Sequence, residues 1–455
     1  MEEKIALGFE HHKAGRLKEA ENLYKEVLHQ DSNNHSALYL LGLICYQARN
    51  FLLAKDYIES AVVLSPDNPV YCKTLGDTYH ALKDSDNALM AYSSALQLQP
   101  DNPELYISIG NVFLSLNNLA EALRYYKAAL NTDPHSLQAN FNAGIIYERS
   151  EAYDNAEYHY KKALELEPDR ADICNNLANV YSNKGNHKEA KHYYEKAFAL
   201  LPLEHSVQYN LGRTYLILEE FQKGWELFES RIKLFNNHNL KYSPESKPKW
   251  NGEPIEGKRI FAYTMSGIGD AIHFARYLPL ISQRGAELTY KVNVDLESLF
   301  KQQDFRGTQL DFSAPEENLE FDYQIPFMSM GHAFSANRLN IPYKSGYIKA
   351  DKNKTESYRQ KYFNHNDFKI GLFWHASGVD KRAVDLSLFE DIVKTEGIRF
   401  YALQKGRGSE QIEQFYLKEK LVDLGNTFED FSDTAAAIEN LDLVISVDSS
   451  VAHLA

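Results

Sequence analysis

Cysteine is scarce in this chain: three residues in 455, Cys45, Cys72 and Cys174, odd in number and far apart. That spacing excludes a disulfide framework and offers no paired thiols for a zinc site. Each thiol suits the role of a small apolar filler, and reduced cysteines predict a cytoplasmic location. Long apolar runs are absent as well; none approaches the roughly 20 residues that cross a bilayer. The opening Met1, Glu2, Glu3 and Lys4 run straight into an amphipathic pattern, without the basic and apolar regions of a secretion signal. Positive charge is in deficit, with 49 Lys and Arg against 63 Asp and Glu, a formal charge of −14. A surface of that sign excludes general binding to nucleic acid or anionic lipid, since both need clustered cations. What is present, 44% hydrophobic and 25% charged residues, is the composition of a folded protein long enough for two or three domains.

Over residues 1–234 the chain repeats itself every 34 positions with no insertion. One column reads Gly8, Gly42, Gly76, Gly110, Gly144, Ala178 and Gly212, preceded by an apolar column from Leu7 to Leu211. A second small-residue column runs Ala20, Ala54, Ala88, Ala122, Ala156, Ala190 and Gly224. Four positions on stand Tyr24, Ile58, Tyr92, Tyr126, Tyr160, Tyr194 and Phe228, and proline closes the unit at Pro66, Pro100, Pro134, Pro168 and Pro202. Small residues let two helices approach closely, large ones fill their seam, and proline ends the second helix. This pattern resembles the tetratricopeptide repeat, a helical hairpin of that period. The resemblance implies an α-solenoid of six complete repeats and a partial seventh, with a curved face that holds a protein or peptide.

Asn142, Asn176 and Asn210 share one column of the first helices, where earlier rows carry Ala6, Leu40, Thr74 and Ser108. An amide offers both a donor and an acceptor, as an extended peptide backbone requires. The column resembles the asparagine ladder of O-GlcNAc transferases, and asparagine is equally a common packing choice in such repeats. A peptide-binding groove and plain consensus packing both fit.

From 235 to 249 the period stops and Asn, His, Lys, Ser and Pro dominate, a linker composition. Beyond it, strand-length apolar runs at 259–265, 287–292 and 323–327, then 369–375, 399–403, 421–424 and 443–447, alternate with helical patterns. The helices fall at 271–284, kinked at Pro279, and at 296–303, 386–395, 410–418 and 434–440. Strand and helix alternating through short connections make parallel sheets. Two such series, separated by an irregular stretch at 328–368, predict Rossmann-like lobes at 250–345 and 368–455 with a cleft between them.

The order of short motifs is similar to that of the ADP-heptose:lipopolysaccharide heptosyltransferases, the family nine glycosyltransferases, and of bacterial proteins that fuse such a domain to tetratricopeptide repeats. The motifs are Trp250-Asn-Gly-Glu253, Gly257-Lys258, Gly267-Ile-Gly-Asp270 and Arg276-Tyr-Leu-Pro279, then Gly371-Leu-Phe-Trp374, Leu403-Gln-Lys-Gly406, Asp433-Thr-Ala435 and the run from Leu441 through Asp448, Ser449 and His453. The resemblance implies a GT-B pair of lobes and inverting sugar transfer from a nucleotide-sugar co-substrate, with no cofactor or metal. His375 departs from the small residue such fusions usually carry. The chain also ends inside the helix after the last motif, so the second lobe, and any activity that depends on it, is expected to be incomplete in this piece.

Residue by residue, Gly267 and Gly269 would let the backbone turn tightly after the first strand and present a helix N-terminus to the donor. The resemblance puts the catalytic base at Asp270, which could instead cap its helix. Asp448, Ser449 and His453 fit donor binding, with capping and interior packing as the bland alternative. Arg382, or Lys381 beside it, fits the cation aimed at donor phosphates, and could be a solvated loop charge. Gln404 fits a nucleotide contact. Dinucleotide oxidoreduction is disfavoured because Ile272 stands where the third glycine of G-x-G-x-x-G belongs, although Asp295 follows the second strand as a ribose-binding carboxylate would. The expected function is a repeat-guided glycosyltransferase acting on a protein or glycan acceptor; the rival is a non-catalytic scaffold for protein partners.

Overall fold

A computed structural model describes residues 1–455 apart from 236–246, 266, 315–318, 344–345, 377–381 and 417. Most of the expected linker, Ser266 and Lys381 lie outside the described residues. The chain divides into two compact units, Met1–Thr214 and Tyr215–Ala455.

The first unit is an array of antiparallel helix pairs, beginning Glu2–Lys13, Leu17–Gln30, His35–Gln47 and Phe51–Leu64 and continuing in the same rhythm to Ala171–Asn183 and His187–Leu200. Asn34, Asn50, Asn68, Asp84, Asn102, Asn118 and Ser136 each accept a hydrogen bond from a backbone N–H in the first turn of the next helix. Such a cap is worth about 1 kcal/mol, so the polar residue at each junction fixes where a helix starts. The glycine column acts as the sequence predicts. A Cβ on Gly8, Gly76, Gly110 or Gly144 would stand 2.6, 2.6, 2.5 and 2.6 Å from Tyr24, Tyr92, Tyr126 and Tyr160 respectively. Those rings are no more than 1% exposed, so the missing side chain is what lets the two helices meet. First helices of successive repeats also pack on one another, which places them along the inner face of the array.

Among the described residues the second unit holds eight strands: β1 Arg259–Tyr263, β2 Glu287–Lys291, β3 Thr308–Leu310, β4 Tyr323–Pro326, β5 Phe368–Phe373, β6 Ile398–Ala402, β7 Leu421–Asp423 and β8 Leu443–Ser446. They form two parallel sheets of the same order, β3-β2-β1-β4 and β7-β6-β5-β8. The register pairs Ile260 with Leu288 and Tyr323 in one, and Ile370 with Phe400 and Leu443 in the other. Trp250 and Trp374, both 0% exposed, anchor the two cores. Each indole N–H is satisfied, by the Glu253 carbonyl at 2.8 Å and the Gly408 carbonyl at 3.2 Å.

Several elements differ from the sequence reading. The expected helix at 271–284 is two, Ile268–Ala275 and Leu278–Gln283, because Pro279 opens a new helix rather than bending one. The expected helix at 410–418 is a single turn, Gln411–Gln414, and β3 falls where the sequence reading placed no strand. The stretch 328–368 contains the helix Lys352–Tyr362, capped by Asp351. The largest difference lies at the end of the repeats. By periodicity 215–234 belong to the seventh repeat, yet they fall within the second unit. There Trp225 donates to the Ala336 carbonyl at 2.7 Å and lies 2.5 Å from where a Gly331 Cβ would be. Arg231, 6% exposed, donates to Ser329 at 2.7 Å and pairs with Glu229, which Lys249 also meets. Burial against the α/β core, not the repeat pattern, decides where this helix sits.

Candidate functional site

In each sheet the strand order reverses direction between the first strand and the last, β1 beside β4 and β5 beside β8. At such a switch point the loops leaving the strands part and open a crevice beyond their carboxyl ends. A cavity of about 700 Å³ occupies this position in the second unit, walled by loops from both sheets. All eight residues selected for the cleft line it: Gly267, Gly269, Asp270, Arg382, Gln404, Asp448, Ser449 and His453. Their separation in sequence exceeds 180 positions, so the fold has gathered them.

Asp270 occupies the third position of the helix Ile268–Ala275, whose N-cap is Gly267. No side-chain cap hydrogen bond forms there, so the capping alternative is not realised. The carboxylate is half-buried and has no hydrogen-bond or ion-pair partner among the described residues. Neither glycine adopts a left-handed conformation, which corrects the tight-turn reading; Gly267 has φ −59°. Gly269 is needed for another reason. A Cβ there would lie 2.8 Å from His453 Cδ2 and 3.4 Å from Ser450 Cα, so the absent side chain admits the helix Ser450–Leu454.

On the opposite wall several candidates are already engaged. Gln404, 1% exposed, accepts from the backbone N–H groups of Trp374 at 3.3 Å and His375 at 2.9 Å. Its amide donates to the carbonyls of His375 at 3.0 Å and Arg407 at 2.8 Å. With both ends of the amide occupied, it is a strut between the loops after β5 and β6, which corrects the expectation of a nucleotide contact. Arg382 pairs with Asp448 at 3.2 Å, so neither is a lone charge facing the cavity. Ser449 is the N-cap of Ser450–Leu454, accepting from Ala452 N at 3.4 Å and bonding Ser446 at 2.9 Å, so its capping alternative is realised. His453 is exposed on the cavity side of that helix.

Among the lining residues that the sequence reading did not select, three are polar side chains of note. Lys405 donates to the carbonyls of Phe428 and Glu429, at 2.5 and 3.0 Å, and Arg407 adds a second cation to the same wall. Asn293, just past β2, contributes to the opposite side. Behind the cavity wall His273, also missed, packs its ring on His453 at 5.4 Å between centroids and 65° between planes. Its spacing of three from Asp270, one helical turn, was the available signal. Burial drives its pKa down to about 4, with Arg276 and His453 adding to the effect. Among the described residues no group of three or more metal-ligating side chains occurs, and no helix is long and apolar enough to cross a membrane.

The asparagine column lies in the first unit, where Asn142 and Asn210 join neighbouring first helices. Asn142, 5% exposed, accepts from Gln138 and donates to Asn111, both at 2.9 Å, while the Tyr126 hydroxyl donates to Asn111 at 2.7 Å. Asn210 donates to Asn175 at 3.3 Å and Asn179 at 3.4 Å, and Asn179 accepts from Tyr194 at 2.6 Å. Asn176 lies beside the Tyr160 hydroxyl. The column therefore belongs to an internal amide network, and Asn142 has its carbonyl committed within it.

Family profiles described as tetratricopeptide repeat match residues 6–69, 107–171 and 171–202, and one described as TPR repeat matches 76–116. The chain from residue 6 to 202 is thus a run of tetratricopeptide repeats. One curated relative, Protein FlbA of Caulobacter vibrioides, is 25% identical over 273 residues. That match takes in 53% of this chain and 44% of FlbA, so the chain spans less than half of its relative. Among solved structures, a tetratricopeptide repeat protein from Parabacteroides merdae is 20% identical, with TM-score 0.42, covering 53% of this chain and 94% of that one. The C-terminal part of a repeat protein from Cytophaga hutchinsonii is 17% identical, with TM-score 0.43, covering 52% and 100%.

Proposed function

We propose that this chain is a protein-binding scaffold whose repeats hold a polypeptide partner along the face formed by the first helices. The observation that carries this reading is the unbroken run of tetratricopeptide repeats, with first helices stacked side by side along one face. A protein that builds such a face gains little from it unless something lies along it, because stacking alone is satisfied by the seams. Replacing Asn142, Asn176 and Asn210 together with alanine tests the column, with helicity measured alongside affinity to follow its packing role. A peptide bound along the column should lose affinity by about 0.5–1.5 kcal/mol per hydrogen bond. Unchanged affinity with lower helicity would leave the amides as inter-repeat packing alone.

A second reading, sugar transfer in the α/β unit, is favoured by the cavity that collects all eight cleft residues around the unpartnered Asp270. The reaction would run in one displacement. The acceptor O–H gives its proton to the Asp270 carboxylate as its oxygen bonds the anomeric carbon, and the bond to the nucleoside diphosphate breaks with its electrons on the leaving phosphate. Asp270→Asn keeps the volume and removes the basicity, so it should lower turnover by about 10²–10⁴-fold with donor affinity retained. Wild-type turnover in that variant would remove Asp270 from the chemistry.

A further inference from the structure

The contact between His273 and His453 joins the helix Ile268–Ala275 to the helix Ser450–Leu454, and it is built from the first of them. Gly269 stands one turn before His273 and clears the path for the His453 ring, with only 2.8 Å from its missing Cβ to His453 Cδ2. The backbone of His273 is tied down. Its carbonyl accepts from Arg276 Nε at 3.0 Å and from the Tyr347 hydroxyl at 3.4 Å, and the same hydroxyl donates to the Ile272 carbonyl at 2.8 Å. The Arg276 guanidinium in turn lies over the Tyr347 ring at 4.5 Å. Phe274 flanks the imidazole at 5.2 Å between centroids. His453, by contrast, has no side-chain hydrogen-bond partner among the described residues, and the His273 ring is its one ring contact there.

We propose that His273 is a positioning residue, a fixed imidazole that holds His453 on the floor of the cleft so that its N–H meets a phosphate-bearing ligand. The proposal rests on the sugar-transfer reading, in which His453 is a donor to the phosphates. The neutral state that burial gives His273 suits the task, because an uncharged ring accepts either protonation state of its neighbour without repulsion.

The test is a double-mutant cycle on the chain, with inorganic pyrophosphate and uridine diphosphate as probes in calorimetry near neutral pH. His453→Ala should weaken both probes by about tenfold, the loss of one charge-assisted hydrogen bond. His273→Ala should do nearly the same, and the double variant should be no worse than His453→Ala alone. His273→Phe keeps the ring and should restore most of the affinity; it also serves if the alanine variant fails to fold. Losses that add in full, or a His273→Ala variant that binds like wild type while His453→Ala does not, overturn the positioning role and leave the reading intact. If His453→Ala changes nothing, or the chain binds neither probe, the reading fails and takes this inference with it.

Discussion

Replacing Gly110 with alanine puts a methyl group 2.5 Å from Tyr126 Cε1, 2.8 Å from Cδ1 and 3.1 Å from Cζ. Carbon atoms sit comfortably at about 3.5–4.0 Å, so the ring must retreat by about 1 Å. It has little room to do so. The ring is 0% exposed, and its hydroxyl is tied to Asn111 at 2.7 Å in the inter-repeat amide network. Overpacking of this kind costs about 1–3 kcal/mol. Alanine offsets about 1 kcal/mol of that through its better helix propensity, leaving a net loss of about 0–2 kcal/mol. The chain holds its own reference in Ala178, which takes the glycine's place in the column, with Tyr194 at the same offset of sixteen. Hydrogen exchange on Pro103–Ser115 and Leu119–Thr132 reads the effect locally, since repeat arrays open in parts. Adding Tyr126→Leu should recover part of the loss, giving less than the sum of the single changes. Slower exchange in Gly110→Ala, as propensity alone dictates, would refute the close-approach argument.

Glu157 is pushed up by burial and pulled down further by hydrogen bonds from Lys161, Lys184 and Tyr181, to about 2. A carboxyl whose pKa is lower in the folded state stabilises the fold above its unfolded value, so that contribution should fade as pH drops from about 4.5 toward 2. Thermal melting against pH should show the loss, and Glu157→Gln should flatten it. Residues 1–214 alone should give a soluble fragment that melts cooperatively by circular dichroism, because each repeat rests on its neighbours; a random-coil spectrum contradicts this. Gln404→Leu leaves buried backbone groups at Trp374 and His375 unpaired and should cost about 2 kcal/mol or more in denaturant unfolding followed by tryptophan fluorescence.

The repeat unit was legible because its determinants are local and periodic: a glycine, a tyrosine and a cap at fixed offsets. The strands of the second unit were legible for a similar reason, as apolar runs between turn residues. What the sequence did not reveal is who partners whom. Gln404 follows its strand as a ligand contact would, yet four backbone groups from three other residues claim it. Gly269 reads as part of a turn, and its partner is His453, 184 positions away. Trp225 keeps the repeat period while its indole serves the α/β core. Such choices depend on which surface a side chain meets after folding, and no spacing rule encodes them.

The account turns on whether the inner face of the repeats holds a polypeptide. A random peptide library selected against the chain, followed by hydrogen exchange of the enriched peptides in complex, measures this directly. The account predicts protection concentrated on the first helices, among them Leu137–Arg149 and Ala171–Asn183, and weaker binding by the triple asparagine variant. Protection confined to the second helices or to Tyr215–Ala455, or no enriched peptide at all, would contradict it.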